Sequence, residues 1–583
     1  MAPLDWAIVG VYLAGTLAVG LWLSRRASGG IVDFFVGSRA LPWWLAGTSM
    51  AATTFSVDTP LYVTGVVARR GIAGNWEWWA FALSHLLLIY IFARLWRRAE
   101  VVTDAEMTEI RYGGRPAAVL RATRAFLFAV PINCIAIGYV MLAMRKVIEA
   151  LGLFGGVGEA LPGDQRLWIV LALSVFVLVY AGLAGLWGVV ATDFFQFALA
   201  MIGALLVAGF AIADVGGVME LKRQLAEIGR SDALRMVPRP GSPDLPMGTF
   251  LAYLGIQWWA WRRSDGGGEF VQRMSAARTE QDAEKAAWLF NVLHYVVRAW
   301  PWILVALVAI VVFPNLEDPE MGYPLLMLEY LPVGALGLVV ASFVAAFMST
   351  VSTQINWGAS YLVNDLYARF VNPSASQKRQ VALGRVASVG IVACAAAAAF
   401  FAQDIGTVFR FMIAIGTGPG AVLILRWFWW RVNASAELAS MIAGFGIALA
   451  TYLPMWGDMG FGLRLTVTAF GTAAVWIPVM YLTRPESDDT LDAFYRRVRP
   501  GGSGWRAVRA RTGLEPVTLL RHDLARTVAA TATLFGGMFA IGGAMLLEPG
   551  LAVGSTLLFV AGLVGLRALG KRQVAAGPAA AEL

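Results

Sequence analysis

The stretch "LAGTSMAATTFSVDTPLYVTGVVARRGI", residues 45–72, is apolar at both ends, yet its centre holds Thr53, Thr54, Ser56, Asp58, Thr59 and Pro60. Pro60 has no N–H to offer the carbonyl of Ser56, and its ring crowds that carbonyl, so a helix through this segment is kinked or broken there. A break frees carbonyls around residues 52–55. The plain alternative is a continuous, proline-kinked helix whose hydroxyls bond back to carbonyls four residues earlier. Asp58 raises the stakes, because a carboxylate at bilayer depth costs about 3 kcal/mol or more unless paired or wet. Its structural reading is an ion pair, with Arg298 as the candidate; its functional reading is a partner for a solute amine or hydroxyl.

The rest of the chain sets this segment in a membrane. Of 583 residues, 58% are hydrophobic and only 14% charged, and apolar runs of roughly 20 residues, each long enough to cross a ~30 Å hydrocarbon layer, recur throughout. Hydropathy delimits about fifteen spans, including 42–67, 167–187, 190–213 and 247–262. Two cysteines, Cys134 and Cys394, lie in apolar runs and supply no disulfide framework or thiolate metal site. His85, His294 and His522 match no zinc spacing, and neither a phosphate loop nor a nucleophile elbow is present. These features exclude the common soluble enzyme classes. The net charge of +8 is dispersed over short loops, which fits membrane topology and gives no nucleic-acid patch.

Lys/Arg placement then orients the chain. Arg25–Arg26 after the first span, "RLWRRAE", "QRMSAAR", "SQKRQ" and the Arg-rich 484–526 segment all fall on odd-numbered connections, which puts the N-terminus outside and the C-terminus inside. The 214–246 connection, with five Lys/Arg, is the exception. With this orientation the organisation reads as a leading helix and loop (1–41), a first five-helix unit (42–213), a second of opposite topology (247–429), two flanking helices (430–483), a cytoplasmic, surface-lying connection (484–526) and two C-terminal helices with a tail (527–583). Two units of opposite topology make an inverted repeat, and such designs put their site at the midplane, where the first helix of a repeat is broken.

A second polar seam lies in "AAFMSTVSTQIN", residues 345–356. Ala346, Ser349 and Thr350 stand at i, i+3 and i+4, so one carbonyl and two hydroxyls converge on one side of a helix. That is half a cage for sodium, and carbonyls freed in the broken segment are candidates for the other half. Ser349, Ser352 and Thr353 repeat the spacing one turn on, with Asp193 of "VVATDFFQFALAM" as the candidate charge. Small-residue helix packing with self-satisfied hydroxyls accounts for the same spacing.

The runs "DFFVGSRALPWWLAGTSMAATTFSVD" (33–58), "ATDFFQ" (191–196), "FVQRMSAARTEQDA" (270–283), "AAFMSTVSTQINWGASYLVNDLY" (345–367) and "RWFWWRVNASAELASMIAGF" (426–445) occur in one order. Together they resemble the sodium:solute symporter family, relatives of the proline, glucose and sialic acid symporters, over roughly residues 5–485. The resemblance implies an all-α polytopic protein with the leucine-transporter-like five-plus-five inverted repeat and flanking helices. It also implies sodium-coupled symport of a small polar organic solute by alternating access, in the cell membrane and without enzymatic activity. Sodium would lie on the carbonyls of Ala52, Phe55 and Ala346 and the hydroxyls of Ser349 and Thr350; a second ion, known in some members, would use Asp193, Ser349, Ser352 and Thr353. Solute contacts would fall on Thr54, Ser56, Thr59 and Trp78; Gln257 and Trp258 are added because they suit hydrogen bonding and stacking with a polar ring, an interfacial tryptophan belt being the alternative, and Asp58 is added from its own chemistry because it is outside the family pattern. Where sialic acid symporters carry a carboxylate-binding arginine, this chain has Ile132 or Asn133, which argues against that substrate. A transporter-like solute sensor working with a separate signalling partner is the alternative reading, and a channel a further one.

Overall fold

The computed structural model describes residues 1–23, 35, 37–152, 165–260, 264–401, 404–457 and 459–575. Helices account for the regular structure, with no strand beyond two isolated bridges among the described residues. Among the described residues, nine helices are long and apolar enough to cross a membrane, or ten with the bent pair Ile72–Trp79 and Ala82–Ala99 counted as one span. Three further apolar helices, Pro3–Val19, Trp168–Val179 and Ala434–Ala450, are shorter.

The chain opens with α1 (Pro3–Leu23). The segment at Pro60 is then two half-helices, α2 (Trp43–Thr53) and α3 (Asp58–Arg70), separated by non-helical residues 54–57. Pro60 sits in the first turn of α3, where a missing N–H costs nothing, so the proline starts a helix and does not kink one. The expected spans 167–187 and 190–213 are joined in one run of helix, α4 (Gln165–Asp214), because the residues between them contain neither proline nor a polar turn cluster. The expected span 247–262 is shorter than foreseen. It consists of α5 (Met247–Gly255) and a single 3-10 turn, Gln257–Trp259, and the next helix among the described residues is α6 (Glu269–Ala276), beyond Gly266, Gly267 and Gly268. Gly266 and Gly268 have φ of 79° and 68°, a backbone conformation that favours glycine.

The hydroxyl seam lies on α7 (Ala335–Ser360), which is buried over nearly its whole length. Its first turn is held by α1, where Asp5 Oδ1 accepts from Gly334 N at 2.7 Å and Gly337 N at 2.9 Å, satisfying donors that a helix start leaves without partners. Helices α8 (Ile405–Phe428) and α9 (Ala434–Ala450) cross at Gly418 and Gly444, so closely that a Cβ on Gly418 would lie 2.4 Å from the Gly444 backbone. Glycines at such crossings let membrane helices gain packing energy without a solvent-driven hydrophobic effect.

Two sequence readings change here. "QRMSAAR" was read as a basic loop, but Arg273 is buried within α6. The 484–526 connection is also no simple surface strap: helices Asp488–Val498 and Arg506–Thr512 pack on the bundle through buried Phe494, Tyr495 and Trp505, whose Nε1 donates to Trp427 O at 2.7 Å. Its periodic aromatics supplied an anchor that its arginines concealed. Arg25 and Arg26 lie outside the described residues.

Buried charge is organised as a network. Arg124 bonds Asp104 at 2.6 Å and Glu437 at 2.7 Å, and Arg426 bonds Asp265 at 2.6 Å and Glu437 at 3.3 Å, all of these side chains being fully buried. Removing one partner of a buried pair leaves an uncompensated charge and costs about 3–5 kcal/mol. Arg426→Met is therefore expected to lower the unfolding temperature of the detergent-solubilised protein sharply. Arg369→Met, at the more exposed pair with Glu109, should cost about 1 kcal/mol or less. Equal shifts for the two variants would contradict the network's structural role.

Candidate functional site

The break between α2 and α3 faces the seam of α7. Thr350 Oγ1 donates to Thr53 O at 3.2 Å, and Thr53 Oγ1 and Thr353 Oγ1 are 3.2 Å apart. Phe55 and Ala346 line one small cavity. The structure thus brings the candidate sodium donors Ala52, Phe55, Ala346, Ser349 and Thr350 into one neighbourhood, with Ala52 O accepting from Phe55 N at 2.9 Å. Ser349 Oγ donates to Asp193 Oδ1 at 2.6 Å, and this bond aims the hydroxyl's lone pairs away from the carboxylate.

The second oxygen set is assembled differently. Asp193 reaches Ser349 directly and also accepts from Ser49 Oγ at 2.5 Å. Thr353 connects to it through a cation, since Arg273 Nη2 donates to Thr353 Oγ1 at 2.8 Å and lies 3.7 Å from Asp193 Oδ2. Ser352 turns back to its own helix and donates to Ser349 O at 3.1 Å.

Beside the candidate sodium donors lies a cavity of about 120 Å³. Thr54, Ser56, Asp58, Thr59 and Trp78, all expected as solute contacts, line it. Ser56 Oγ and Asp58 Oδ1 are buried there without a hydrogen-bond partner. The Arg298 guanidinium donates to Ala51 O at 3.1 Å, to Thr54 Oγ1 at 3.2 Å and to His294, and lines the same cavity as Asp58. Trp78 is fixed by Nε1 donation to Asn75 Oδ1 at 2.9 Å and stacks on Tyr295 at 6.0 Å. Gln257 and Trp258 do not reach the cavity. The Gln257 amide donates to Glu77 O, and Trp258 packs edge-on against Trp259, so both brace the region after α5.

Residues that sequence reasoning passed over complete the wall: His85, Tyr139, His294, Tyr295, Phe409 and Gln354. His294 and Tyr295 lie in a π-helical turn, Val292–Val297, whose extra residue re-aims consecutive side chains and brings both into the lining. The histidines carried a signal that a zinc-spacing test could not detect, since any ionisable group within an apolar span is a site candidate in its own right.

Two broken helices opposite an intact, hydroxyl-bearing one, with a polar cavity at the break, define a secondary transporter of the alternating-access kind. Residues 34–444 match the model of the sodium:solute symporter family, and the chain belongs to that family. It is accordingly a sodium-coupled solute symporter, with sodium as the coupling ion. It is 24% identical over 518 residues to a sodium/glucose cotransporter of Vibrio parahaemolyticus, covering 83% of this chain and 92% of that one. To the sodium/myo-inositol cotransporter 2 of Homo sapiens it is 27% identical over 490 residues, covering 77% and 70%. The fold resembles that of a sodium-coupled sialic acid symporter in a substrate-bound outward-open state, with a TM-score of 0.67 at 19% identity, over 83% of this chain and 99% of that one. These proteins are transporters and not enzymes, and the sensor reading finds no support among them.

The cavity's extent is open to test by thiol labelling. In a chain with Cys134 and Cys394 replaced by alanine, Thr59→Cys should react with a small methanethiosulfonate. Gln257→Cys, buried outside the cavity, should not react; the reverse pattern would misplace the lining.

Proposed function

We propose that the solute is a small polyhydroxylated ring, held in the cavity between the α2–α3 break and the wall formed by His294, Tyr295 and Arg298, with one sodium beneath it. The observation that carries this is the pair of buried polar atoms, the Ser56 hydroxyl and the Asp58 Oδ1 acceptor, that make no hydrogen bond. Leaving a buried polar group unmade costs about 1–3 kcal/mol, which a hydroxyl-rich ligand would recover. Asp58 and Arg298 carry opposite charges on the same cavity, so a neutral ligand suits the site better than an anion. Trp78 offers an apolar ring face. The relatives named for glucose and myo-inositol transport supply the same class of ligand.

Sodium is read onto the carbonyls of Ala52, Phe55 and Ala346 and the hydroxyls of Ser349 and Thr350. Neutral oxygens suit a monovalent ion that must also leave. Entry of one sodium down about 100 mV contributes roughly 2.3 kcal/mol, and a tenfold gradient adds about 1.4 kcal/mol. This is enough to concentrate a neutral solute several hundred-fold.

The surrounding topology follows the same reading. The chain crosses the cell membrane about fifteen times, with the N-terminus outside and the C-terminus in the cytoplasm, as five-helix units 42–213 and 247–429 of opposite orientation flanked by 1–41, 430–483, 484–526 and 527–583. Each unit then begins with an interrupted helix, as an inverted repeat requires.

Uptake into proteoliposomes tests the proposal. Under an inward sodium gradient, labelled hexoses and cyclitols should accumulate, and amino acids and carboxylate sugars should not. Ser349→Ala and Thr350→Ala are each expected to raise the sodium concentration for half-maximal uptake about tenfold, the loss of about 1.4 kcal/mol; unchanged sodium dependence in both would reject the ion site. Asp58→Asn should raise the solute KM at least tenfold with little change in sodium dependence.

A further inference from the structure

The connection 484–526 contributes nothing to the solute cavity, yet it walls a cavity of its own, of about 520 Å³. Arg506, Arg509, Arg521 and His522 line it together with Leu519 and Leu520, and no carboxylate does. Close contacts set its shape. Gly501 N donates to Thr518 Oγ1 at 2.8 Å, a Cβ on Gly501 would lie 2.1 Å from Thr518 O, and Val517 N donates to Arg499 O at 2.9 Å. Buried Trp505 fastens this floor to the end of α8.

The positive charge around this cavity exceeds what its surroundings balance. Arg509 pairs with Glu515, Arg511 with Asp488 and Asp492, and both Arg94 and Arg526 with Glu284. Glu486 accepts from Gly113 N and Ala434 N, Asp489 stands at the far end of helix Asp488–Val498, and Asp523 is buried with its carboxylate 3.9 Å from His522 Nδ1. Arg496, Arg497 and Arg499 bring only more positive charge. Arg506 and Arg521, both exposed, form no ion pair among the described residues.

Depth in the bilayer selects the counter-ion. Helix α10 (Leu520–Met545) carries no charged side chain over residues 527–545, a rise of about 28 Å that matches the ~30 Å hydrocarbon layer. Arg526 then stands at the edge of that layer and Arg521 about 8 Å further out, at the depth of lipid headgroups. Leu524 and Val528, one helical turn apart, are 42% and 71% exposed. We propose that this cavity binds the phosphate headgroup of an anionic phospholipid, whose acyl chains run along Leu524 and Val528. Guanidinium groups bond phosphate oxygens in pairs, and a free phosphate compound would gain nothing from the apolar face. The inference goes beyond the symport reading and does not depend on it, since it needs only that α10 spans the bilayer. A lipid held here braces the connection against α8, whose Phe409 lines the solute cavity.

Native mass spectrometry of the full-length protein in a neutral detergent, titrated with dioctanoyl phosphatidylglycerol or dioctanoyl phosphatidylcholine, tests the site. The wild-type protein should hold its first phosphatidylglycerol about tenfold or more tighter than its first phosphatidylcholine. The double variant Arg506→Ala/Arg521→Ala should lose about thirtyfold in phosphatidylglycerol affinity, the contribution of two arginines at a membrane surface, with phosphatidylcholine unchanged. Arg496→Ala/Arg497→Ala removes two exposed arginines that do not line the cavity, and should bind phosphatidylglycerol as the wild type does. Equal affinity for the two lipids in the wild type would overturn the proposal, and so would an equal loss in the two double variants. Displacement of phosphatidylglycerol by inorganic phosphate at matching concentration would assign the arginines to a soluble phosphate compound and reject the lipid. Because Arg506 and Arg521 are exposed, their removal leaves the buried packing of the connection in place.

Discussion

Backbone amides in hydrocarbon have no water to bond, and that constraint shapes every important feature of this protein. Unwinding residues 54–57 in mid-span is tolerable only where protein groups or a polar cavity take over the freed carbonyls and N–H groups. The structure supplies both. Thr350 donates to Thr53 O, Arg298 donates to Ala51 O, and the remaining space is the cavity with its unpartnered polar atoms. The cavity thus lies where the helical hydrogen-bond pattern is interrupted. The second interruption, between α5 and α6, is bounded by glycines and puts Arg273 opposite the first.

Buried charges obey an equally strict rule. Asp104, Asp265 and Glu437 are each matched by an arginine within hydrogen-bond distance, and Asp193 by Arg273. Asp58 differs, since one of its oxygens faces the cavity without a partner. A carboxylate with all of its hydrogen bonds made holds helices together, whereas one with an acceptor to spare is available to a visitor. On this criterion Asp58 keeps an oxygen open to the cavity, whereas Asp193 ties α4 to α2 and α7.

Much of this was legible in the residues, and what was not has definite causes. Pro60 and its polar neighbours announced the break, because proline's effect is local and needs no partner to predict. The spacing of Ser349, Thr350, Ser352 and Thr353 announced a shared face for the same reason. Arg273 was misread as a loop charge, since hydropathy averages cannot distinguish an arginine outside the membrane from one buried beside a distant aspartate. Gln257 was assigned to the solute because an amide beside a tryptophan suits a polar ring, but its amide nitrogen donates to Glu77 O, a bond between residues 180 positions apart. His294 was passed over because its role depends on a π turn that leaves no mark in composition. Local rules were readable; pairings across the chain were not.

The bond from Asp5 to the start of α7 has a mechanical consequence. Spanning 329 residues of sequence, it makes the leading helix a splint along the helix that bears the hydroxyl seam, although the leading helix precedes the family-matching region. Any rocking of α7 during a transport cycle has to carry α1 with it or break two charge-assisted hydrogen bonds at once. The first residues of the chain therefore help set the stiffness of the element that carries the hydroxyl seam.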